Sequence, residues 1–171
     1  TTRQRRSKLN DQEKRARIGY TVQITANFVN TTMKVPMYKT AGAAGFDFQA
    51  NIAADYLLEI NELKALSTGI KMSIPFGLYL AIVPRSGLAL KQGLTVLNSP
   101  GTIDSDYRGE IQILLKNHGN KQVVIEPGMR IAQGILCDYK IAGFEVVGKL
   151  DDTIRGSGGF GSTGTKGAVS A

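Results

Sequence analysis

LTVLNSPGTIDSDYRGEIQILL, residues 94–115, is the stretch on which the fold turns. Leu94 to Leu97 is a short apolar run, and a second begins near Glu110 and continues to Leu115. Ser99-Pro100-Gly101 lies between them as a turn signal, so the stretch reads as a β-hairpin. In an extended backbone Asp104 and Asp106 project to one side and Tyr107 to the other, unless the turn bends the chain. A carboxylate held near a phosphate can activate water as a general base. The same residues also fit a solvated loop with an Asp–Arg pair, and the spacing alone does not separate the two readings.

The β pattern spreads outward from the hairpin. Tyr20, Val22 and Ile24 alternate with Thr21, Gln23 and Thr25, a period of two. Short runs at 34–38, 46–50, 56–60, 69–74, 78–83, 122–125, 130–139 and 144–147 read as further strands. Turn signals such as Pro75-Phe76-Gly77 and Pro127-Gly128 punctuate them. Such strands, with no long helical period between them, predict an all-β barrel or sandwich with one short helical turn at 86–92. At 171 residues the chain is long enough for one domain with its own core.

Composition narrows the chemistry. The chain has one cysteine, Cys137, and one histidine, His118, which excludes a disulfide framework and a His/Cys zinc site. Cys137 sits in an apolar run and reads as a buried, inert thiol. No apolar run approaches the ~20 residues of a membrane span, so no membrane partner is expected. The N-terminus is polar and basic without a hydrophobic stretch behind it, unlike a secretory signal, so an intracellular, cytoplasmic setting is expected. The net charge of +7 is uneven: residues 1–18 hold seven basic and two acidic side chains. They read as a disordered basic arm, open to contact with nucleic acid or a partner, or to use as a nuclear or organellar address. The domain proper is expected over residues 19–152, followed by an arm over 153–171.

Three more clusters carry candidate chemistry. Pro84-Arg85-Ser86-Gly87-Leu88-Ala89 ends an apolar strand at a possible helix start, where free N–H groups and Arg85 suit an anion; an N-cap serine beside an arginine salt bridge explains it equally. In Ala44-Gly45-Phe46-Asp47-Phe48-Gln49-Ala50 an acid stands between two aromatics. That is costly in a core unless the acid is paired, hydrogen-bonded or near a metal. In RGSGGFGSTG, residues 155–164, half the residues are glycine. It suits a flap that brings N–H groups and Arg155 to phosphate while Phe160 covers a flat base. It also suits a flexible terminus.

Taken in order, AGFDFQA, PRSGLA, NSPGTIDSDYRGE, GMRIAQGI and RGSGGFGSTG resemble the five signature motifs of the trimeric dUTPase family (deoxyuridine triphosphate nucleotidohydrolases). The resemblance runs from about Val35 to Gly164. It implies a distorted antiparallel jelly-roll-like β-barrel of the β-clip type, assembled as a homotrimer with shared active sites. It implies hydrolysis of dUTP to dUMP and pyrophosphate, with Mg²⁺ as cofactor. By resemblance Asp104 is the general base and Asp47 meets the metal through water. Arg85, Ser86, Gly87 and Gln133 bind phosphates. Asn98, Gly101, Thr102 and Ile103 form the uracil-reading hairpin, and Tyr107 packs on the deoxyribose. Arg155, Gly161, Ser162 and Thr163 close on the γ-phosphate, Phe160 stacks over the base, and the C-terminal arm reaches a neighbouring subunit's site. Asp106 and Arg130 are expected to be structural. Two positions depart from the pattern: Gly134 replaces a larger aliphatic residue and Phe48 a leucine, and the glycine is expected to loosen its strand. A dCTP deaminase-like enzyme and a nucleotide-responsive regulatory protein on the same scaffold are the alternatives.

Overall fold

The computed structural model describes residues 20–29, 33–160 and 162; the basic arm of residues 1–18 lies outside them. Packing divides the chain into two units, Thr1–Lys140 and Ile141–Ala171.

The first unit holds eleven strands and one helix among its described residues. They are β1 (Gln23–Ala26), β2 (Gly45–Gln49), β3 (Tyr56–Leu58), β4 (Leu63–Ser67), β5 (Ile70–Ser73), β6 (Leu78–Val83), α1 (Ser86–Gln92), β7 (Leu94–Val96), β8 (Gly101–Ile103), β9 (Gln112–Asn117), β10 (Val123–Ile125) and β11 (Arg130–Asp138). All pairings are antiparallel, in four small sheets: β1-β5, β10-β3, β2-β11-β6-β8 and β4-β9-β7. Phe48, Leu58, Leu80, Ile113, Ile125 and Ile131 anchor the core between them. Asn117 is fully buried, but its amide donates to the carbonyls of Leu58 (3.3 Å) and Lys121 (2.8 Å) and accepts from the Gly119 N–H (2.9 Å). Its burial therefore leaves no polar group unmatched.

The short runs read in the sequence match β2, β6, β9 and β11. The structure differs in several places. The hairpin forms, with β7 on β9 and Leu94 opposite Asn117. Its connection, however, contains a further strand: β8 leaves that sheet and pairs with β6 in another, Ile82 opposite Gly101. β4 was hidden because LKALS carries helix-forming residues, and pairing with β9 overrides that preference. The segment 34–38 forms no strand; Pro36 lacks the N–H that a ladder needs. Cys137 is half-buried.

Gly134 proves to be a packing residue. A Cβ there would stand 2.8 Å from Phe48 Cε2, 2.9 Å from Phe46 Cε2 and 3.0 Å from Leu80 Cδ1. The glycine makes room for two phenylalanines that meet edge to face, centroids 5.5 Å apart. The two departures noted in the sequence are thus one exchange of volume between β2 and β11. Gly134→Val should destabilise by about 1–3 kcal/mol through overpacking. Adding Phe48→Leu should recover part of that loss, the contacts with Phe46 and Leu80 remaining, as urea denaturation of the two variants and the double variant would show.

The second unit, over its described residues, holds turns and no strand or helix. The expected strand at 144–147 has no partner, and Phe144, Val146 and Ile154 are exposed.

Candidate active site

Asp47 lies on β2, opposite Gln133 of β11, which in turn lies opposite Val83 of β6. Two residues beyond Val83, Arg85 caps α1. Its Nε donates to Asp47 Oδ1 at 2.9 Å, and its Nη1 donates to the Arg130 carbonyl at 2.9 Å. Arg130 Nη1 donates to Asp47 Oδ2, also at 2.9 Å. The acid between two aromatics is therefore largely buried, and each oxygen takes a charged donor, which offsets its desolvation.

A bulge explains how Arg130 reaches it. Arg130 lies opposite Gln49 and Ala132 opposite Phe48, so Ile131 is the extra residue. Arg130 and Gln133 are three apart, yet the bulge puts both on the Asp47 face. Lys34 and Lys39 line the same cleft as Asp47 and Arg130. The surplus of cations suits an anion.

Arg85, not Ser86, is the N-cap of α1, and it makes no side-chain cap. Ser86 and Gly87 are exposed in the first turn. The Leu88 and Ala89 amides both point to the Arg85 carbonyl at 3.0 Å. The Ser86 and Gly87 amides, as first-turn donors, have no intrahelical acceptor.

The second centre follows β8. Asn98 closes over Gly101: a Cβ at 101 would lie 3.1 Å from Asn98 Nδ2 and 3.3 Å from Ile82 Cβ. Thr102 is exposed and Ile103 half-buried. The chain then turns, with the Tyr107 amide donating to the Asp104 carbonyl at 3.2 Å. Arg108 Nη1 donates to the carbonyls of Ser105 (2.7 Å) and Tyr107 (2.9 Å), not to a carboxylate. Asp104 and Asp106 are exposed on a cleft with Phe76, Tyr79, Thr102 and Tyr139. Among the described residues, no hydrogen bond or ion pair joins this turn to the Asp47 cluster.

Register measures the gap between the two centres. They stand three strand spacings apart across β2-β11-β6-β8 and four residues apart along β6, about 14 Å by about 13 Å, or about 20 Å in all.

Glu110 was part of the quoted stretch but had no role read from it. Its Oε1 accepts from the Ser67 hydroxyl and from the Gly69 N–H at 2.9 Å. Ser67 Oγ also accepts from Asn51 Nδ2 at 3.2 Å. The Ser67 hydroxyl first, then the Gly69 and Thr68 amides and the Lys71 charge, hold the Glu110 carboxyl below its ordinary value, against the opposing effect of burial. A depressed folded pKa stabilises the fold above the ordinary carboxyl range, and this is lost as pH falls through the folded value. Glu110→Gln should therefore cost about 1 kcal/mol at pH 7. As pH falls through the folded value the wild type protonates, and its advantage over the variant should disappear. Urea melts at pH 7 and at successively lower pH check this.

In the second unit, Arg155 Nε donates to the Gly158 carbonyl at 2.9 Å and the Ser162 amide to the Gly159 carbonyl at 3.0 Å. Phe160 is fully exposed with a left-handed φ of 47°. Gly161 and Thr163 lie outside the described residues.

Among the described residues no three His, Cys, Asp or Glu side chains could hold a metal ion. A site built on Asp47 supplies one carboxylate, both of whose oxygens are already engaged. Such a donor set fits a hydrated ion carried by a ligand's phosphates and does not fit a protein-made cage.

A sequence profile described as dUTPase matches residues 31–164, more than half of the chain and all five segments singled out above. The chain belongs to the dUTPase family. It is 54% identical over 132 residues to the deoxyuridine 5'-triphosphate nucleotidohydrolase of Chlamydia pneumoniae, covering 77% of this chain and 91% of that one. It is 47% identical over 135 residues to the enzyme of the same name from Orientia tsutsugamushi (strain Ikeda), covering 79% and 91%. Among solved structures, the fold is shared by the dUTPase of Staphylococcus bacteriophage 80alpha with dUpNHpp, at TM-score 0.75 and 24% identity, over 86% of this chain and 100% of that one. A mutant dUTPase of phage phi11 of S. aureus, described with a structural Mg(II) ion, matches at TM-score 0.67 and 21% identity, over 78% and 100%. The mostly β architecture with one short helix is thus the jelly-roll-like fold of this family. No described helix is long and apolar enough to cross a membrane.

Proposed function

We infer that the chain hydrolyses dUTP to dUMP and pyrophosphate. The observation that carries this reading is the family match over residues 31–164, a span that includes all the residues assigned below. Water attacks the α-phosphorus in line, and the bond to the bridging oxygen of the β-phosphate breaks. Asp104 takes the water's proton, and pyrophosphate leaves. Asn98 and the backbone of Gly101, Thr102 and Ile103 read the uracil edge, where a thymine methyl has no room. Tyr107 packs on the deoxyribose. Arg85, Ser86, Gly87 and Gln133 hold the phosphates, with Arg130 beside them. Arg155, Phe160, Gly161, Ser162 and Thr163 close the site and exclude water. Asp47 would meet a Mg²⁺ ion through water; when bound, that ion neutralises phosphate charge.

The separation of the two centres supports a site shared between subunits. A general base acts within hydrogen-bond reach of its proton or through one water. At about 20 Å, Asp104 and Asp47 of one chain do not serve one α-phosphate. Copies arranged so that one chain's Asp104 turn meets another's Asp47 cluster remove the difficulty. A homotrimer with three such sites is the assembly we propose, the exposed Phe144, Val146 and Ile154 being covered when the arm docks on a neighbour. The activity keeps uracil out of DNA and supplies dUMP for dTMP synthesis.

Pyrophosphate release from dUTP, dTTP, dCTP and UTP with Mg²⁺ is the direct test. Turnover of dUTP alone is expected. Deamination of dCTP would move the assignment to a deaminase, and tight dUTP binding without turnover to a regulatory protein.

A further inference from the structure

We propose that Gly109 is a specificity-determining residue that acts through Tyr107, by leaving the space into which the Tyr107 ring folds. The inference rests on the reading of Tyr107 as the group that excludes a ribose 2′-hydroxyl. The phenol of Tyr107 turns back over its own loop, and its hydroxyl donates to the Glu110 carbonyl at 3.0 Å. That carbonyl belongs to a residue whose side chain is pinned by Ser67 and Gly69. The ring is thus tethered to a fixed point. The surface it lies on is the bare Cα of Gly109: a Cβ there would overlap the phenol oxygen and Cζ and stand 2.9 Å from Cε2.

The conflict involves the ring and not the backbone. The φ of Gly109 is outside the left-handed region, so alanine brings no backbone strain. The three nearest atoms all belong to Tyr107, at the far end of a side chain that is 43% exposed. A methyl group at 109 is therefore relieved by swinging the ring away. The fold survives, the tether to Glu110 breaks, and the sugar face opens. Gly109 touches no reacting atom; its role is one of positioning.

The test is a double-mutant cycle on the full chain, reading kcat/KM for dUTP and for UTP with Mg²⁺. Tyr107→Ala should lower the dUTP/UTP preference, and Gly109→Ala should lower it too, by about tenfold or more. In the Tyr107→Ala background, Gly109→Ala should lower it no further, because the ring it displaces is gone. A general loosening of the loop would instead compound the two effects, and that outcome overturns the inference. A shift with Tyr107→Ala but none with Gly109→Ala overturns it while leaving the sugar gate intact. No shift with Tyr107→Ala removes the gate itself. Should Gly109→Ala alone fail to fold, the double variant must fold; an unfolded double variant would place the conflict in the backbone and overturn the inference equally.

Discussion

Asp104→Asn is expected to lower dUTP turnover by about 10²–10⁴-fold while leaving dUTP binding close to wild type. Asparagine has the same shape and still hydrogen-bonds a water, but it does not accept its proton. Asp104 is exposed, and its side chain makes no hydrogen bond or ion pair among the described residues. A lost fold therefore does not explain a lost rate. Pyrophosphate release at saturating dUTP, paired with calorimetric binding, separates the two quantities. Retained turnover would send the search for the base elsewhere, with Asp106 on the same cleft as the next residue to replace.

Ending the chain after Asp152 should have an effect of similar size and a different character. Among the described residues the buried apolar side chains run from Met33 to Ala132, so the cut removes none of these. The melting temperature of the β unit should stay within a few degrees of wild type. The cut removes Arg155, Phe160 and the hydroxyls of Ser162 and Thr163. A guanidinium on the leaving phosphates and a closed, dry site are worth about 10²–10³ in rate. The shortened chain should bind dUTP weakly and turn it over slowly. Full activity, or an unfolded product, would contradict the closing-flap reading.

How much of this was legible in the sequence depended on whether one strand or several had to be known. β2, β6 and β11 show as apolar-rich runs in their own residues, and the acid of β2 stands out because its neighbours are aromatic. β8 was hidden, because three residues, Gly101–Ile103, become a strand only when β6 offers a ladder. β4 depended on β9 in the same way. At the site, Asp47 and Arg85 were legible singly but their ion pair was not, since 38 residues separate them. Arg130 and Gln133 break the period of two, and the bulge that puts them on one face is a property of pairing. The conflict between Gly109 and the Tyr107 ring needs coordinates: sequence spacing places them near each other without showing that the phenol folds back.

The fit of Gly134 beneath Phe46 and Phe48 constrains how this chain changes over generations. Enlarging residue 134 first crosses a less stable intermediate, and shrinking Phe48 first leaves a void in the core. Neither order is neutral. Drift at these two sites is therefore slow and paired. A descendant that keeps Phe48 is held to glycine at 134 long after its surface has diverged.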